Sequence, residues 1–179
     1  MGNDVRQTWV NNNYAMEGVT HEREGEQHTD FWGITWEKVG HFNQIARFPL
    51  GEAAPEQVLA YGFPTDHLGE LLAQMSPLLA AGHDAFIGCD VSPCVFEMYW
   101  RLRGMDKVLL EMVTDRELAT TMLGRCADFA VALARRACRE MSLDWLWTGD
   151  DVAGQNALIM VFRKQAGEEI QLVAVISGG

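Results

Sequence analysis

The residues best placed to do chemistry are two pairs at the ends of short apolar runs. Asp90 and Ser92 follow Ala85-Phe86-Ile87-Gly88-Cys89, and Asp150 and Asp151 follow Leu143-Asp144-Trp145-Leu146-Trp147. A buried strand that ends in a polar turn, with a helix just upstream, is how parallel α/β proteins carry functional side chains to the rim of a sheet. Adjacent carboxylates repel, so a proton is readily shared and one of the two pKa values rises. The same spacing also suits a solvated turn in which an aspartate caps a helix. Other chemistries find less support. His21, His28, His41, His67 and His83 are scattered, and none meets another His or Cys at i+3 or i+4, so spacing offers no metal site. The glycines form neither Gly-x-Gly-x-x-Gly nor a phosphate loop, and no Ser or Cys sits in a nucleophile elbow. The six tryptophans read as core and hairpin packing rather than a ligand platform.

The elements that must position the two aspartate turns follow from periodicity. Residues 1–29 are polar and without sustained period, and read as a loose start. Phe31, Trp32, Ile34 and Trp36, then Phe42, Ile45 and Phe48, flank Gly40 and predict a hairpin. Ala54 to Pro64 holds a helical turn or two. Asp66 to Ala81 has helical spacing, with Thr65 or Asp66 as its cap and Pro77 as a kink or stop. A strand at 85–89 precedes a helix that opens near Pro93 and ends at Gly104, then a short helix over 105–113. Thr114 or Asp115 caps the longest helix, whose apolar face is Leu118, Met122, Cys126, Phe129, Ala130, Leu133 and Ala137. The strand at 144–147 follows. This rhythm predicts a parallel sheet, with 86–89 and 144–147 as neighbouring parallel strands.

Composition excludes several partners. The chain has 179 residues, enough for one domain with a real core, and a net charge of −11. That charge argues against nucleic acid and against an anionic membrane surface. No apolar run reaches the ~20 residues of a membrane span, and the first residues lack a signal-peptide core. Cys89, Cys94, Cys126 and Cys138 form no Cys-x-x-Cys pair and read as reduced thiols, Cys126 and Cys138 as part of a helical apolar pattern. The expected setting is the cytoplasm.

Four segments together are similar to one family. Pro93-Cys-Val-Phe-Glu-Met-Tyr-Trp-Arg-Leu-Arg-Gly104, Val113-Thr-Asp-Arg-Glu117, Trp147-Thr-Gly-Asp-Asp-Val-Ala-Gly-Gln155 and Asp30-Phe-Trp-Gly-Ile-Thr-Trp-Glu-Lys38 (with Pro49-Leu50 and Tyr61-Gly-Phe-Pro64) resemble the decarboxylase-like branch of the uroporphyrinogen decarboxylase superfamily. The resemblance covers roughly residues 30–160. It implies a (β/α)₈ barrel with its site at the C-terminal strand ends. It also implies a tetrapyrrole or related small-molecule ligand and no cofactor. Tyr99 falls where the family's tetrapyrrole-contacting tyrosine follows a strand–proline turn. Asp150-Asp151 falls where the decarboxylases carry a serine that touches a substrate side chain. With Asp90, these make the expected substrate-binding set: Asp90, Tyr99, Asp150 and Asp151, with no metal ligand.

The departures are as specific. The family's catalytic aspartate should precede Asp30, but the chain reads His21-Glu-Arg-Glu-Gly-Glu-Gln-His28. The arginine-rich substrate loop has no counterpart, and the His-x-Cys zinc ligands of the corrinoid methyltransferases are missing. A whole barrel takes about 250 residues. The expectation is therefore a partial (β/α)₈ barrel with a β-hairpin insertion, preceded by a poorly ordered segment 1–29, with 30–179 as the barrel domain and Leu172–Ile176 as a shortened barrel strand. Such a chain would be a truncated, inactive decarboxylase-like protein. The rivals are a fragment of a corrinoid-dependent methyltransferase-like barrel and a non-catalytic binding half-barrel. An uncovered sheet edge would invite self-association.

Overall fold

The computed structural model describes residues 4–11, 23–81 and 85–151, and the backbone of two strands at 160–163 and 171–174. Strand β1 (Val5–Trp9) comes first. Strands β2 (Gln27–Thr29), β3 (Thr35–Val39) and β4 (Phe42–Arg47) then form an antiparallel sheet, which contains the expected hairpin. Asp30 organises its base. Its Oδ1 accepts the amides of Trp32 and Ile34 at 2.9 and 3.0 Å, and its Oδ2 accepts Trp36 Nε1 at 2.7 Å. This directs Trp32, Ile34 and Trp36 into the core, where each is buried.

Helix α1 (Pro55–Leu59), a 3₁₀ turn at Thr65–His67, α2 (Leu68–Ala73) and α3 (Ser76–Ala80) follow. The helical run expected over 66–81 is thus broken, with Pro77 in the first turn of α3, where its missing N–H costs nothing. No side chain caps the start of that run. Strand β5 (Phe86–Asp90) leads to α4 (Phe96–Arg103), α5 (Met105–Thr114) and α6 (Arg116–Glu140). Gly104 separates α4 from α5 with a φ of 97°, a conformation other residues rarely adopt. Asp115 caps α6, its Oδ1 accepting the Leu118 amide at 3.2 Å. The predicted apolar face of α6 is buried throughout; Cys138, beside it, is exposed. α6 packs on α1, α2, α4 and α5.

Strand β6 (Trp145–Trp147) closes a three-stranded parallel sheet of order β1-β5-β6. Gly88, Cys89 and Asp90 stand opposite Trp145, Leu146 and Trp147, so β5 and β6 are parallel neighbours as expected. Two expectations fail. Residues 5–9, read as part of a loose start, are a strand paired in register with all of β5. They escaped notice because this strand is mostly exposed and is held by main-chain bonds, which need no apolar period. Strand β8 (Gln171–Ala174) pairs antiparallel with β7 (Met160–Arg163) and does not join the parallel sheet. Ile176 lies outside the described residues, as do His21 and His83. The chain is a mixed α/β protein, and among the described residues no closed barrel forms. None of its described helices is long and apolar enough to cross a membrane.

Candidate functional site

The three parallel strands end at a common rim. Side-chain and main-chain bonds stitch the turn after β5 to the turn after β6. The Gly149 amide donates to Ser92 Oγ at 2.6 Å, and Thr148 Oγ1 meets Cys94 Sγ at 2.5 Å. The Asp150 carboxylate accepts three amides at the start of α4: Val95 at 3.0 Å and Phe96 at 2.7 Å on Oδ2, and Glu97 at 2.5 Å on Oδ1. Val95 offers no capping side chain of its own, so Asp150 caps this helix from a distant segment. From the β1 side, Asn11 Nδ2 donates to the Pro93 carbonyl at 2.9 Å and Trp9 Nε1 to the Ser92 carbonyl at 2.5 Å.

Register and pleat fix what lies beneath this rim. Ile87, Cys89 and Val91 point to the helices and are buried. The alternate positions point the other way, in rows across the sheet: Trp9, Asp90 and Trp147 at the rim, Gln7, Gly88 and Trp145 below, then Val5 and Phe86. Trp9, Trp147, Val5 and Phe86 are 38%, 51%, 50% and 59% exposed, so this face carries no covering layer among the described residues. Trp145 lies flat over Gly88, where a Cβ would come within 2.2 Å of the indole; only glycine admits that approach. The Trp145 and Trp147 rings stand 6.4 Å apart at 75°.

Asp90 sits 7% exposed in the rim row, its Oδ1 accepting the Ser92 amide at 2.9 Å. Its other oxygen has no hydrogen-bond partner among the described residues. Burial, reinforced by Asp90 nearby, pushes the Cys89 thiol up to about 11, so it stays protonated. Glu97 is buried beside Arg101, with which it pairs. Burial pushes its carboxyl above the ordinary range, Arg101 opposes this, and Asp151 and Asp150 add to it. Arg101 in turn packs 5.5 Å from the Trp36 ring centroid.

Of the four expected site residues, Asp90, Asp150 and Asp151 share the rim, and Asp150 is occupied as a helix cap. Tyr99 is elsewhere. It is fully buried, and its hydroxyl donates to Glu111 Oε2 at 2.6 Å. Glu111 also holds Arg103 at 2.8 Å, and Arg103 Nη1 reaches the Leu50 and Ala53 carbonyls at 2.5 and 2.7 Å. Tyr99 therefore belongs to a polar lock at the far end of α4 from Asp150; burial and Glu111 push its hydroxyl up. Residue type at the matching position did not fix which end of the helix the ring serves. Conversely, Trp9, Trp145 and Trp147 were read as packing, although half of the chain's tryptophans line the open face. The signal was available in β6, where Trp145 and Trp147 alternate around Leu146 on one strand face.

Among the described residues no three His, Cys, Asp or Glu side chains gather as a metal site. The fold defines a mixed α/β protein with a strand-end rim. Comparison with protein-family models, curated proteins and solved structures finds no match to this chain.

Proposed function

We propose that the chain is a uroporphyrinogen decarboxylase-like protein, built as an arc of that family's (β/α)₈ barrel, that binds a small molecule on the open aromatic face of its parallel sheet and does not decarboxylate it. The observation that carries this reading is the row Trp9–Asp90–Trp147 at the C-terminal strand ends, on a face with no covering layer among the described residues. Binding sites in parallel sheets lie at that end, and aromatic walls with one fixed polar group are the usual lining of a ligand site. Catalysis on a polycarboxylate needs cations to hold it. The strand positions on this face carry one charge, the negative Asp90, beneath Asp151 and Asp150. That field repels uroporphyrinogen rather than posing it. Methyl transfer of the corrinoid type finds no His-x-Cys pair in the chain.

Titration with Nile red, a neutral planar dye, tests the reading. Saturable dye emission excited through tryptophan is expected, and Trp147→Ser should weaken it. Purified chain incubated with uroporphyrinogen should give no coproporphyrinogen. Failure of the dye to bind the folded protein would overturn the proposed binding face, and clear turnover would overturn its non-catalytic role.

A further inference from the structure

We infer that the Trp9–Asp90–Trp147 row is a site for an organic cation of the quaternary ammonium class. This rests on the reading of the open face as a ligand site and names what the face takes. Neighbouring strands lie about 4.8 Å apart, so Trp9 and Trp147 stand on strands separated by about 10 Å with Asp90 between them. A methylated ammonium group is attracted to a ring when it lies within about 6 Å of the centroid. The gap therefore admits one such group in reach of both walls. Trp145, at 75° to Trp147, forms a corner of the enclosure, and its position depends on Gly88. Trp9 is pinned through Nε1 to the Ser92 carbonyl, so its indole is positioned before any ligand arrives.

Charge selects the class. Asp90 is more than nine-tenths buried, has one oxygen committed to Ser92 and leaves the other without a partner among the described residues. That second oxygen is open to an incoming group, and a cation on the open face would pair with it. Among the described residues, the strand positions on this face carry no positive side chain to pair with it internally. A quaternary ammonium cannot donate hydrogen bonds and sheds water readily, so it matches a site of ring faces with one carboxylate better than a primary ammonium does.

The test is titration of the full chain, followed by tryptophan emission, with choline chloride and with 3,3-dimethylbutan-1-ol, the uncharged isostere of the same shape. Sodium chloride at equal concentration is the salt control. Choline should produce a saturable change, with the isostere at least about tenfold weaker. Asp90→Asn keeps an acceptor for the Ser92 amide and should weaken choline by about tenfold. Trp147→Leu, at a half-exposed position and keeping an apolar side chain, should weaken it to a similar extent. Equal binding of choline and isostere, or wild-type affinity in both variants, would overturn the inference. So would a dimer at titration concentrations, detected by sedimentation, that choline does not dissociate: a second copy would then be what covers the face. Nile red binding without choline binding would refute the cation and leave the binding face standing. Loss of both would refute the face itself.

Discussion

On one side of β5, Ile87 and Cys89 are sealed in the core; on the other, Phe86, the residue next to Ile87, leaves more than half of its surface in solvent. The strand alternates between a face packed under helices and a face with no covering layer among the described residues. Apolar character alone does not separate the two, since the open face holds the larger side chains. What separates them is whether a helix lies above. Ile87→Ala should therefore cost about 3 kcal/mol in denaturant unfolding, from lost burial plus the cavity left behind. Phe86→Ala should stay within about 0.5 kcal/mol of wild type, as exposed substitutions do. Similar losses for both would mean that the second face is covered after all.

The two aspartates of the β6 turn offer the same contrast on a smaller scale. Asp150 satisfies three amides at the start of α4, whereas its neighbour Asp151 is exposed. Removing a helix cap costs about 1 to 2 kcal/mol, and Asp150→Ala should reach the upper end because it orphans several donors. Asp151→Ala should change stability little. Comparable midpoints for the two variants in urea would show that the cap contributes nothing.

Tyr99 sharpens the division between lock and site. Tyr99→Phe removes a donor from the buried Glu111 carboxylate, which retains Arg103. A loss of about 1.5 kcal/mol is expected, with choline affinity unchanged. A change in ligand affinity at wild-type stability would return Tyr99 to the proposed site.

How much of this was legible follows from where the forces act. α6 could be read residue by residue, because its buried stripe and its Asp115 cap are local. β5 and β6 could be read as apolar runs ending in aspartate, and their parallel pairing follows from the helices between them. β1 could not, because a half-open strand held by main-chain bonds leaves no period in Val5-Arg6-Gln7-Thr8-Trp9. The roles of Asp150 and Tyr99 depend on partners 53 to 55 and 12 residues away, which spacing does not encode. The open aromatic face was hidden for a related reason. A tryptophan facing a helix and one facing solvent are the same letter.

The smallest effect concerns Glu97, whose own amide is one of the three that Asp150 caps. Burial raises its carboxyl above the ordinary 4.5, more than Arg101 lowers it, so the folded protein holds the Glu97 proton more tightly than the unfolded chain does. The stability from that proton is fully present below the ordinary value and is lost as pH climbs through the raised one. Glu97→Gln mimics the protonated form and retains an oxygen for Arg101, so it lacks this loss. Measured by urea unfolding from about pH 4 to about pH 7, the variant should gain stability relative to wild type as pH rises. The opposite slope would mean that Arg101, not burial, governs Glu97. The start of α4 would then behave as an ion-paired rim rather than as an extension of the buried core.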